Sequence, residues 1–150
     1  MSMATLKFFH TAMIPESLIE DLKTGHQSIV DAVDRLQKVV RSYAQAKPLI
    51  REMREGLMAH FARQNDSLFD QLQVFYRSDR EVIKTIEFLI CDLKDIKIKY
   101  LVFFDRYSGE IADLGSNTFP VDFLAFAREL MARIKAEEDY LLPLIAKIVS

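Results

Sequence analysis

The sequence is poor in residues that cross-link or interrupt a chain. Its 150 residues include one cysteine, four glycines, four prolines and no tryptophan. The single Cys91 excludes an internal disulfide and a thiolate metal cluster, which favours a reducing, cytoplasmic location. We interpret Cys91 itself as a packing residue of the core or its boundary.

Several partners and activities are excluded in the same way. The net charge is only −2, and acids alternate with bases, so we expect no nucleic acid. No apolar run reaches the roughly 18 residues that a bilayer span needs, and residues 1–10 lack the long apolar core and cleavage site of a signal peptide. We therefore expect no membrane partner. Neither a nucleophile elbow nor a glycine-rich phosphate loop is present, so we predict no enzymatic activity.

Four long segments do carry the 3.6-residue period of amphipathic helices, at about 15–43, 47–76, 79–107 and 120–148. The apolar positions that define them include Leu22 and Ile29, Leu57 and Phe61, Leu89 and Leu93, and Leu130 and Ile134. The first two connections are short, which makes successive helices antiparallel. The sequence thus predicts one all-α domain over 1–150, an up-and-down antiparallel four-helix bundle. We expect Pro143 to kink or end the last helix, and 108–119 is the candidate mobile loop.

Polar residues interrupt three of the four apolar stripes at a similar height in the predicted bundle. They are His26, His60, Gln64, Arg133 and Glu137. At that level the third helix contributes only apolar residues, Ile90 and Leu93. Buried polar groups need partners, a metal or water. One interpretation is a self-satisfied layer, with a Glu137–Arg133 pair and both histidines bonded to Gln64. The other is a metal site.

Over nearly the whole chain the spacing resembles the hemerythrin-like family. The matching segments are 25–30, 60–69 and 133–144. The resemblance implies a two-metal bundle, but helix two has Gln64 where that family has glutamate, helix four has Arg133 where it has histidine, and helix three has no histidine. His10 precedes the first helix. A metal site would therefore hold at most one ion, iron or zinc, on His26, His60, Glu137 or Glu138.

The chain also resembles the Rsd/AlgQ family of anti-sigma regulators, which are helical bundles too. The likeness rests on segments in all four helices: 18–36, 48–50 with 68–72, 103–107 and 130–142. Arginine at 133 fits this family, whereas the run 59–66 departs from its mid-helix-two signature. The resemblance implies a protein partner such as a sigma factor, and a candidate partner face of Phe61, Arg63, Asn65 and Asp66. Our leading hypothesis from the sequence is a non-enzymatic regulatory protein-binding module without a metal, a monomer or homodimer. A hemerythrin-like metal-binding or oxygen- or redox-sensing bundle is the alternative.

Overall fold

The computed structural model describes residues 14–108 and 118–150, in which all regular structure is helical. The helices are α1 (Leu18–Lys38), α2 (Tyr43–Ala62), α3 (Asp66–Phe75), α4 (Arg80–Tyr107), α5 (Thr118–Ala136), a π-helix (Glu137–Leu141) and α6 (Leu142–Val149). They form four columns: α1, α2 with α3, α4, and α5 with the π-helix and α6. The predicted all-α, antiparallel four-helix bundle is confirmed. The assignment of 1–150 to a single domain stays a prediction.

The core lies where the apolar stripes of the four columns meet. The apolar stripe positions predicted from the sequence are buried, apart from two. These are Val40, which lies near the end of the first predicted helix, and Val82, which lies near the start of the third, and both are partly exposed. Aromatic rings fill one end of the bundle, where Phe103 stacks on Phe126 with ring centroids 4.8 Å apart. Burial of apolar surface is the main force that holds such columns together. The columns are consequently held firmly on both sides of the polar layer.

The second column is interrupted between α2 and α3, whereas the sequence predicted one helix over 47–76. Asn65 has extended backbone, and its side chain accepts a hydrogen bond from the Leu68 N–H at 2.9 Å. This is the N-cap of a new helix. The first connection also differs, since α1 ends at Lys38 and Tyr43 begins α2 instead of ending the first helix.

The fourth column changes register at Glu137 and then continues beyond Pro143. The Leu142 N–H bonds the carbonyl of Glu137, five residues earlier. A proline ring clashes with the carbonyl four residues before it and has no N–H to donate. The π-helix just before Pro143 accommodates this residue, so α6 continues to Val149. The expected end of the helix at Pro143 is therefore wrong, whereas a kink there stays a prediction.

Two placements predicted from the sequence are corrected by the structure. Phe61 is 4% exposed and belongs to the core, because its ring packs edge-on against Tyr100; it cannot form part of a partner face. Cys91 is exposed, because it lies on the outer face of α4. Residues 1–13 and 109–117, with His10 and most of the candidate mobile loop, lie outside the described residues. Within the described ranges, no helix is both long and apolar enough to cross a membrane.

Candidate metal centre

The five polar residues predicted from the sequence do meet in one buried layer. His26 comes from the middle of α1, His60 from the last turn of α2, and Glu137 from the start of the π-helix. Gln64 lies in the turn between α2 and α3, and Arg133 on α5. Each of the five is at most 2% exposed. The five residues therefore come from three of the four columns.

Both histidines converge on one carboxylate oxygen. His26 Nε2 lies 2.6 Å and His60 Nε2 lies 2.8 Å from Glu137 Oε1. The two imidazole rings are 4.9 Å apart between centroids. His26, His60 and Glu137 thus each offer a ligand atom, and these atoms lie within 4.8 Å of one another.

The other oxygen of Glu137 is occupied by protein donors. Gln64 Nε2 donates to Glu137 Oε2 at 2.9 Å, and Arg133 Nε donates to the same oxygen at 2.8 Å. The predicted Glu137–Arg133 pair is present. The predicted bonding of both histidines to Gln64 is not, because the ionised Glu137 is the stronger acceptor; only His60 approaches Gln64, at 3.4 Å.

The third column also contributes to the layer, which the sequence reasoning missed. Arg133 Nη1 donates to the Leu89 carbonyl at 2.8 Å and to Asp92 Oδ2 at 3.2 Å, both on α4. Asp92 directly precedes the core residue Leu93, and its side chain is about one third exposed, at 32%. The sequence did contain a signal for this contact. Asp92 is an acid beside an apolar stripe, in a bundle that was predicted to bury an arginine.

Glu138 contacts the outer edge of the His26 ring. Its Oε1 lies 3.1 Å from His26 Nδ1, and its side chain is 53% exposed. His26 therefore has a carboxylate oxygen at each ring nitrogen. A neutral imidazole has only one N–H, so His26 can satisfy both only as a doubly protonated ring or with a metal ion at Nε2. A metal-bound histidine commonly donates its other N–H to a carboxylate.

The π-helix explains how neighbouring residues reach the same ring. In an α-helix, consecutive side chains diverge by about 100°. A π-helix has more residues per turn, so consecutive side chains diverge less. Glu137 and Glu138 open this π-helix and contact opposite edges of His26. Single-turn π-helices are frequent at functional sites, and this one places two acids at the layer.

The charges of the layer favour a bound cation. Burial alone would raise the pKa of Glu137, but the hydrogen bonds from His26 and His60 and the charge of Arg133 outweigh it and hold that pKa well below its usual range. Glu137 is thus a carboxylate. The Arg133 guanidinium pairs with the carboxylates of Glu137 and Asp92, and the partly exposed carboxylate of Glu138 contacts His26. With neutral histidines, two negative charges remain, which one divalent cation would balance.

His60 leaves one buried atom unsatisfied. Among the described residues, its Nδ1 is the buried side-chain atom with no hydrogen-bond partner. Gly25 lies against it, and a Cβ built on Gly25 would lie 2.6 Å from Nδ1. The sequence reasoning did not single out Gly25. The sequence signal for this close contact was a glycine inside a predicted helix, next to a candidate ligand.

The residues fit one metal ion and not two. Two imidazole nitrogens and one carboxylate form a donor set that suits zinc or non-haem iron. The second oxygen of Glu137 already accepts from Arg133, whose positive charge opposes a second metal ion beside it. Glu138, predicted as a ligand, lies instead where it orients His26.

The candidate partner face is only partly present. Arg63, Asn65 and Asp66 are exposed in the turn between α2 and α3 and the start of α3. However, the Asn65 side chain caps α3, and Phe61 is buried. A protein partner such as a sigma factor stays a prediction.

Comparison with known proteins identifies a family. A family model described as the hemerythrin HHE cation-binding domain matches residues 17–145. No curated protein and no solved structure matches the chain. The resemblance to anti-sigma regulators gains no support from these comparisons, whereas the matched segment includes every residue of the layer.

Proposed function

The chain belongs to the hemerythrin HHE cation-binding domain family, and we propose that it binds one divalent transition metal ion, iron or zinc, at His26, His60 and Glu137. The observation that carries this proposal is the convergence of both Nε2 atoms on Glu137 Oε1, at 2.6 and 2.8 Å. A second support is the pair of carboxylates at the two nitrogens of His26. The metal-binding function thus replaces the regulatory one as our leading hypothesis.

Each residue of the layer has a distinct role in this proposal. His26 and His60 supply neutral nitrogen donors, and Glu137 supplies the anionic oxygen. Glu138 accepts from His26 Nδ1 and so holds the ring with Nε2 directed inward. Gln64 and Arg133 hold the second oxygen of Glu137, so that its first oxygen faces the histidines.

The burial of the site favours sensing over catalysis. Three protein ligands leave coordination positions open, so a bound ion would supply a Lewis-acidic or redox-active centre. The ligands lie in a layer that is at most 2% exposed, which admits small species more readily than an organic substrate. We therefore infer an oxygen or redox sensor without enzymatic activity, a role that requires iron because zinc has no redox chemistry.

Elemental analysis of protein purified without chelator tests the metal. We expect about one iron or zinc atom per chain, and removal of the ion with a chelator should be reversible on adding Fe(II) anaerobically or Zn(II). The variants H26Q, H60Q and E137Q should each lower metal retention at least tenfold. H10Q, which removes the remaining histidine, is the control and should retain the wild-type content. Wild-type protein that holds far less than one metal per chain after reconstitution would contradict the proposal.

A further inference from the structure

Arg133 occupies a position built entirely from oxygen acceptors. Its Nε donates to Glu137 Oε2 at 2.8 Å, and its Nη2 donates to Gln64 Oε1 at 2.7 Å. Its Nη1 reaches the Leu89 carbonyl at 2.8 Å and Asp92 Oδ2 at 3.2 Å. The arginine side chain is 1% exposed. Four acceptors from three columns therefore enclose one buried cation.

These acceptors match a cation of a particular shape. Two of them are carboxylates, one is an amide oxygen and one is a main-chain carbonyl, and all three nitrogens of the guanidinium are used. A guanidinium presents its donors in a fixed plane. Without a positive charge, the buried Glu137 carboxylate would lose its charged partner, which is unfavourable for a buried charge.

We propose that this pocket is a cation-binding site in its own right, filled by the Arg133 guanidinium. Arg133 is then a positioning residue: by holding Glu137 Oε2, it directs Oε1 toward His26 and His60. The effect on metal retention rests on the proposed function, whereas the affinity of the pocket for a guanidinium does not.

Replacing Arg133 with alanine should open the pocket to an external cation of the same chemistry. We expect R133A to bind methylguanidinium, which carries the planar donor group without the chain. At ten times the dissociation constant, binding to the folded state should raise the melting temperature of R133A by roughly 3–6 °C. Sodium chloride at the same concentration should not do so, which separates binding from ionic strength.

Wild-type protein and R128A are the matched controls. Arg128 is an exposed arginine on the same helix, α5. Neither control has an open pocket, so methylguanidinium should leave its melting temperature unchanged or lower it, because guanidinium salts weaken folding. If R133A responds like R128A, the cation site is refuted.

The cation site can also be tested if R133A does not fold in the absence of methylguanidinium. Its helix content would then be followed by far-ultraviolet circular dichroism while methylguanidinium is added. A rise in helicity supports the cation site, and unchanged helicity refutes it.

Metal content separates this inference from the proposed function. We expect R133A to lose metal at least tenfold, and methylguanidinium to restore it together with stability. If methylguanidinium stabilises R133A but the wild-type protein holds no metal, the proposed function is wrong and the cation site is supported. If the wild-type protein holds metal but methylguanidinium does not stabilise R133A, the cation site is wrong and the proposed function is supported. Rescue of stability without rescue of metal would overturn the positioning role of Arg133.

Discussion

Gly25 and Gly56 show how one residue type can have opposite roles at two positions in the same bundle. Both lie inside helices, α1 and α2, where glycine is less stable than alanine by roughly 0.5–1 kcal/mol. A Cβ on Gly25 would meet His60 Nδ1 at 2.6 Å, whereas a Cβ on Gly56 would meet nothing within 4 Å. Only Gly25 is therefore required by packing, and the residue it makes room for is a proposed metal ligand.

Exchanging each glycine for alanine should change stability in opposite directions. We expect G56A to raise the free energy of unfolding by about 0.5–1 kcal/mol. G25A should lower it by about 1–3 kcal/mol, because the buried His60 ring must shift away from the new methyl group. Urea denaturation of the metal-free proteins measures both values. Equal stabilisation by the two substitutions would show that His60 is free to move.

At the scale of the elements, two interruptions of the helices create the site. The break between α2 and α3 places Gln64 inside the layer, and the π-helix places Glu137 and Glu138 at His26. Uninterrupted helices would turn consecutive polar side chains toward different faces. Gln64, Glu137 and Glu138 are thus carried by the parts of the chain that depart from regular α-helix.

The cap of α3 provides a test of the first interruption. N65A removes the acceptor of the Leu68 N–H and should cost about 1 kcal/mol of stability. D79A removes the equivalent cap of α4, where Asp79 Oδ1 accepts from the Val82 N–H at 3.2 Å, and should cost a similar amount.

Metal retention should separate these two cap variants, because Asn65 directly follows Gln64 and Asp79 lies outside the layer. We expect metal content to fall in N65A and to stay at the wild-type level in D79A, as measured by elemental analysis alongside urea denaturation. Retention that falls equally in both variants would indicate a response to lost stability alone.

For the whole molecule, stability comes from the apolar layers above and below the polar one. Leu57 is fully buried near His60, while Leu101 on α4 is 63% exposed. Burial of apolar side chains supplies most of the favourable free energy of folding. The polar layer can therefore be specialised for binding while the rest of the core maintains the fold.

Truncation of these two leucines should measure that difference. L57A should lower the free energy of unfolding by about 2–5 kcal/mol, because it leaves a cavity in the core. L101A should change it by no more than about 0.5 kcal/mol. Chemical denaturation monitored by circular dichroism compares them. A large loss in L101A would indicate that its exposed face is covered by another copy of the chain in solution.

The sequence alone determined the bundle and the membership of the polar layer. The 3.6-residue period requires each helix to bury one face, and this predicted that His26, His60, Gln64, Arg133 and Glu137 point inward, as they do. The resemblance to hemerythrin-like proteins further implied that ligands for two metals are lacking. These conclusions depend on spacing along single helices, which is local information.

Only the tertiary structure decided how the layer is connected. Contacts between columns, such as those of both histidines with Glu137 Oε1 or of Arg133 with α4, depend on helix register and on the break and the π-helix that adjust it. The apolar period of one helix does not specify which residues of a neighbouring helix its side chains will contact. For that reason the sequence could offer a self-satisfied layer and a metal site as alternatives, and the positions of Glu137, Glu138 and Arg133 favour a site for one metal.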